Sequence, residues 1–186
     1  VVAAVIGILL AIAVPNLLKA RISANEANAR KAMQTLRDAE GMYYNQDLDD
    51  TGGRDYTKAI GDLDTGGTLR CPLLNVSCDE SDSLIDNSFE SAFSGITSGS
   101  GDSGCDAPKA GYCLANNFDN CDQASTENSN GGYQDYIWEA SPLIVGVNGK
   151  KDFLIFTDGV IRCTFSSQMT GASGQFEGEE TDRACD

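Results

Sequence analysis

The sequence predicts an α+β protein. A long N-terminal helix, apolar all round in its first half and one-sided in its second, packs on a C-terminal antiparallel sheet of about four strands. Three observations predict it. The opening stretch VVAAVIGILLAIAV carries no charge, in a chain whose formal net charge is −15. A helical repeat of apolar residues continues from there to about residue 46. The later part of the chain holds short aromatic and β-branched runs separated by Asn-Gly and Asp-Gly pairs.

The helix comes first. At ~1.5 Å per residue the uncharged stretch reaches about 21 Å, short of the ~30 Å hydrocarbon core of a bilayer. Pro15 removes one backbone donor and its ring crowds the preceding turn, so a kink or an opening is expected there. Gly7 weakens the same region. From Leu17 to about Gln46, Leu18, Ile22, Ala29, Met33, Leu36 and Tyr43 recur at three-, four- and seven-residue steps, with Asn25, Glu26, Arg30, Lys31, Arg37 and Asp38 between them. The one-sided half has a domain to pack on. The greasy half has nothing in the chain to bury against. The expected organisation is an apolar helix half over 1–22 and a head over 23–186. Within the head lie the amphipathic helix (23–46), a loop-rich region (47–110), and a sheet with a disulfide-tied C-terminus (111–186).

The loop-rich region is rich in turn residues, with a short helical piece near Tyr56–Leu63. Asp47, Asp49, Thr51 and Gly52 are spaced like the start of a calcium loop, but Lys58 stands where its glutamate belongs, and the segment reads as a solvated loop. GITSGSGDSG at 95–104 is a linker or flexible loop. Asn75-Val76-Ser77 is a formal glycosylation match. The strands follow at Gly111–Ala115, Tyr136–Pro142, Asp152–Thr157 and Val160–Phe165. Asn148-Gly149 and Asp158-Gly159 are expected as tight hairpin turns, with both residues of the Asp-Gly pair at positive φ.

Charge and cysteines narrow the class. Residues 1–37 hold Lys19, Arg21, Arg30, Lys31 and Arg37 against Glu26, a net of +4, so the rest carries −15 − 4 = −19. A head this acidic repels phosphates and argues against nucleic-acid binding. The seven cysteines, at 71, 78, 105, 113, 121, 163 and 185, include no C-x-x-C pair, which leaves a structural zinc site unsupported. In a small polar domain they read as disulfides of an oxidising compartment. The preferred pairs are Cys71–Cys78, a short loop around Pro72, and Cys163–Cys185, which ties the C-terminus to a strand. One pair and one leftover fall among Cys105, Cys113 and Cys121. The chain has no histidine, which removes Ser-His-Asp and Cys-His catalysis, imidazole metal ligands and c-type haem attachment. No catalytic residue, cofactor or firm metal site is expected.

With these elements in place, VVAAVIGILLAIAVPNLLKARISANEANA resembles the N-terminal helix of type IV pilins and type II secretion pseudopilins, most specifically in IGILLAIAVPNLLKAR. The resemblance covers about the first 45 residues. GYCLA, YIWEASP and KKDFLIFTDGVIR look more loosely like the sheet of this group, and 46–110 resembles nothing in it. Family members begin with a methylated phenylalanine in a stretch such as FTLIELL, whose glutamate pairs with the terminal amine of a neighbouring subunit. Aligned on Pro15, the resemblance implies about seven such residues ahead of Val1, and no residue here corresponds to that glutamate; with them the apolar run would reach about 21, enough to span a bilayer.

The resemblance implies the type IV pilin fold and a subunit that polymerises with copies of itself into a helical filament. Val1, Val2, Val5, Ile6, Ile8, Leu9, Leu10, Ile12, Val14, Leu17 and Leu18 would form the filament core, with Gly7 and Pro15 allowing partial unwinding over Leu9–Asn16. The implied partners are the inner membrane before assembly, the prepilin peptidase and the pilus assembly machinery. The implied location is an extracellular filament on the cell surface, serving adhesion or motility. The alternative is a pseudopilin in a short periplasmic filament; members of that group often hold calcium near the C-terminus, where this chain has Glu177, Glu179, Glu180 and Asp182, which read as a solvated tail. A membrane-tethered hydrolase lacks any motif. Electron transport through Tyr43, Tyr44, Phe89 and Phe93 lacks metal or haem ligands, and these aromatics read as core.

Overall fold

The computed structural model describes residues 2–46, 53–57, 60–64, 83–93, 105, 107–116, 132–165 and 184–185. Helix α1 (Val2–Gln46) runs without a break, and a 3-10 turn (Ile60–Leu63), a short helix α2 (Ser88–Ala92) and four strands follow. The strands are β1 (Tyr112–Ala115), β2 (Ile137–Pro142), β3 (Lys151–Phe156) and β4 (Ile161–Phe165). They pair antiparallel in the order β1-β2-β3-β4, a simple meander. The architecture is α+β, a long helix laid on a four-stranded antiparallel sheet, as the hydrophobic periods predict.

One face of the sheet receives α1. Tyr112 and Leu114 of β1, Trp138 and Ala140 of β2, and Phe153 and Ile155 of β3 alternate along their strands and meet Ala29, Ala32, Met33, Leu36, Ala39 and Tyr43 of the helix. The helical residues lie three or four apart, which puts them on one stripe. Small alanines beside Met33 and Leu36 bring the helix close to the sheet. Each large side chain removed from water there contributes about 1.5–3 kcal/mol. Phe89 and Ala92 of α2 and Leu63 of the 3-10 turn close the edge of the same core.

Several local expectations need correction. The helical piece near Tyr56 is a single turn starting at Ile60; Tyr56 itself exchanges backbone hydrogen bonds with Tyr133, at 2.8 and 3.0 Å. At Asp158-Gly159 only Gly159 has positive φ, at 73°. Its N–H donates to Phe156 O at 2.8 Å, so the hairpin is a longer loop with a left-handed glycine at its end, a form that leaves Asp158 free to accept from Val160 N–H and Arg162. Asn148-Gly149 is not itself a two-residue turn. The β2–β3 connection spans 143–150, and its positive φ falls on Gly146, at 80°. Asn148 is engaged instead: its N–H donates to Ile144 O at 2.9 Å and its carbonyl accepts from Asn25 Nδ2 at 2.8 Å.

Cys163 on β4 is bonded to Cys185, and Cys105 to Cys113 on β1, with Cα separations of 5.5 and 5.6 Å. Arg162 and Ala184 form a backbone bridge beside the first of these, so the bond ties a C-terminal segment to the edge strand. Cys71, Cys78, Cys121, Val1, the Asp47 loop, Asn75, the 95–104 run and the acids at 177–182 lie outside the described residues.

Candidate functional site

The candidate site is the part of α1 that the head leaves uncovered. Every residue from Val2 to Arg21 is exposed, and Ile22, Asn25 and Glu26 are the first to be partly covered. Val2, Val5, Ile6, Ile8, Leu9, Leu10, Ile12, Val14, Leu17 and Leu18 all stand in the open, on every side of the helix. This is a helix long and apolar enough to cross a membrane, with none of its apolar stretch buried. Val2 to Leu18 covers about 25 Å at ~1.5 Å per residue. Lys19 and Arg21 close it at the head side.

Gly7 and Pro15 lie inside this half. Among the described residues a Cβ on Gly7 would meet nothing. Pro15 sits within α1, and Leu9–Asn16 is helical in the single chain rather than opened. One absent N–H deletes one rung of the ladder, and the flanking turns continue it.

The other end of α1 is anchored by a group that the periodicity alone hides. Glu40 lies one turn beyond Leu36, on the buried stripe, and is 0% exposed. Trp138 Nε1–H donates to its Oε1 at 2.8 Å, and Thr57 N–H reaches Oε2 at 3.3 Å. Burial pushes its pKa up to about 8; the two donors pull the other way and Asp62 adds to the rise. The carboxyl is therefore largely protonated near neutral pH. A Glu at a heptad-like core position, between Leu36 and Tyr43, is the sequence signal for it.

The opposite sheet face carries a second buried carboxyl. Glu139 of β2 is raised well above the usual carboxylate range by burial and then by the charge of Asp152 on β3. Its oxygens have no hydrogen-bond partner among the described residues. Ser141 donates to Asp152 beside it. No group of three or more potential metal ligands occurs among the described residues. Tyr43 and Phe89 are core residues, and Phe93 packs against that core with its ring edge-on to Trp138 at 6.2 Å. Tyr44 stacks on Tyr56 at 4.6 Å.

At the stem side of the head, the 143–150 loop is pinned to α1. Besides the Asn25–Asn148 bond, Lys150 N–H donates to Glu26 Oε1 at 2.9 Å. Tyr112 Oη fills the space beside Gly149, where any Cβ would collide with it, and donates to Lys151 O at 3.0 Å. The head is thus fixed in position at the point where α1 leaves it. Comparison with protein-family models, with curated proteins and with solved structures returns no match to this chain.

Proposed function

We propose that this chain is the structural subunit of a type IV pilus-like extracellular filament, held in the inner membrane by α1 before assembly. The observation that carries the reading is the division of α1. One stripe of its second half is buried against the sheet, while its first half exposes apolar side chains on all sides. A helix that is apolar all round belongs in hydrocarbon or among other helices.

Both environments serve the same surface. In the bilayer, Lys19 and Arg21 lie at headgroup level. In the filament, apolar halves of many copies bundle, and removing them from water drives assembly. Identical subunits in head-to-tail contacts that do not close form an open helical polymer. The acidic, disulfide-tied head coats its outside, and adhesion or motility is a property of the fibre.

Cryo-electron microscopy of material sheared from producing cells tests this. Filaments whose density fits the chain, with α1 bundled at the axis, are expected. A chain confined to the envelope, with no surface fibre, would overturn the pilus reading and support a periplasmic pseudopilin.

A further inference from the structure

Five large apolar side chains outside the stem stand exposed among the described residues, and three of them share one edge of the head. Ile144 and Val147 are each 54% exposed in the β2–β3 loop, and Phe165 is 70% exposed at the end of β4. Phe165 pairs across the sheet with Lys151, the first residue of β3. Lys151 follows directly on Lys150, whose N–H is bonded to Glu26 of α1. All three apolar side chains therefore lie at the end of the sheet from which the stem emerges.

Their exposure is not that of a loosely held loop. Gly146 N–H donates to Gly149 O at 2.7 Å, and Val147 and Asn148 both donate to Ile144 O. Tyr112 packs under Gly149, and Asn148 is held by Asn25. The loop presents Ile144 and Val147 from a fixed scaffold.

Basic side chains gather at this edge of an otherwise acidic head. Lys150 and Lys151 lie beside the three apolar side chains, and Lys151 Nζ sits 5.8 Å from the centre of the Phe165 ring. Lys19 and Arg21 lie within two turns of Asn25 on the helix. Among the described residues the acids at this edge are Glu26, whose carboxylate accepts from Lys150 N–H, and the buried Asp152, which accepts from Ser141. Everything after residue 37 nets −19, so an anionic surface disfavours the head as a whole and is met here by Lys150 and Lys151, with Lys19 and Arg21 on the stem beside them.

We propose that the stem-side rim of the head, made by Ile144, Val147 and Phe165 with Lys150 and Lys151, is a shallow lipid-binding surface that rests on the anionic bilayer face from which α1 emerges. The depth is consistent. Asn25 lies one turn beyond Arg21, about 6 Å along the axis. The headgroup layer on each side of a bilayer is about 5–7 Å thick. With Arg21 among the phosphates, the rim meets the outer part of that layer, and apolar side chains there dip into it while lysines reach the phosphates. The surface would hold the head at one orientation to the membrane and would be released when the subunit is lifted into a fibre. This inference rests on α1 spanning the membrane before assembly.

The test uses the full chain in vesicles of phosphatidylcholine and phosphatidylglycerol that carry a short-range quencher of tryptophan in one of two places, bromine on the acyl chains to report the stem or a nitroxide on the headgroups to report the rim. Three single variants are compared: Val147→Trp at the rim, Leu10→Trp in the stem, and Met42→Trp, exposed at the far end of α1. The native Trp138 is fully buried and supplies an unquenched baseline. The added emission of Leu10→Trp is expected to be largely lost to acyl-chain bromine and that of Val147→Trp to the headgroup nitroxide, while Met42→Trp keeps its emission with both. Quenching of Leu10→Trp without Val147→Trp would overturn the rim proposal and leave the membrane reading intact. Quenching of neither would overturn both. Protection of Val147→Trp only in assembled fibres would make the rim a contact between subunits and refute the lipid surface.

Discussion

Replacing Glu40 by Gln removes an ionisation from the core with little change of shape, and its effect is a change in how stability depends on pH. Burial carries the Glu40 pKa from its ordinary 4.5 to about 8. Below pH 4.5 the folded and unfolded chains both hold the proton, and the contribution is constant. Between 4.5 and about 8 the unfolded chain releases it while the folded chain keeps it, so stability falls as pH rises. Above about 8 the loss is complete. At ~1.36 kcal/mol per pH unit the whole window costs about 5 kcal/mol, of which about 3 kcal/mol is gone by pH 7. A domain of this size has about 5–15 kcal/mol in total, so the effect is large.

Gln keeps a carbonyl for Trp138 Nε1–H but turns an amide toward Thr57 N–H, which offsets part of the gain by about 1 kcal/mol. The slope is therefore a cleaner readout than the absolute stability. Urea unfolding of the full chain in detergent micelles, followed by the single tryptophan, measures it between pH 5 and pH 8. The wild type is expected to lose up to about 1.4 kcal/mol more per pH unit than Glu40→Gln. Glu139 slopes in the same direction but is common to both proteins, so it cancels in the comparison. Equal slopes would refute the buried, protonated Glu40.

Three further outcomes are expected. Cys163→Ser or Cys185→Ser opens a bond spanning 22 residues and destabilises the head by about 3 kcal/mol, with no further loss in the double variant; additive losses in denaturant titrations would refute the pairing. Gly149→Ala forces a methyl against Tyr112 Oη and lowers stability by about 1–3 kcal/mol; an unchanged unfolding midpoint would show that Tyr112 moves aside freely. Pro15→Ala strengthens a helix that is already continuous in the single chain, by up to about 3 kcal/mol, and so opposes any unwinding on assembly. Fewer fibres, or fibres with an altered rise, are expected by electron microscopy, and unchanged geometry would remove Pro15 from the assembly mechanism.

The long-period features were legible in the sequence. Ala29, Met33, Leu36 and Tyr43 carry the helical period, and the four strands lie within a residue or so of their aromatic and β-branched runs. What escaped depends on contacts between distant residues. Asn148-Gly149 has the composition of a turn, but Asn25 and Tyr112 hold those two residues for other purposes. Glu40 lies on the buried stripe by its spacing, but what satisfies it there, Trp138, stands 98 residues later. Helix α2 is five residues long, too short to show a period, and is held by Phe89 and Ala92 entering the core. The stem was the most legible part because its meaning is compositional: no charge before Lys19 and, among the described residues, nothing that covers it.

The continuity of α1 also has a mechanical consequence. No joint separates stem from head: one helix runs from Val2 to Gln46, and from Ala29 onward its inner stripe lies along the sheet. A pull on the stem therefore loads the helix–sheet contact in shear, parallel to the interface, so that Met33, Leu36, Tyr43 and the Glu40–Trp138 bond must yield together. A hinge would let a head peel away one contact at a time. Here tension is shared along the whole seam, the geometry in which weak individual contacts resist force best.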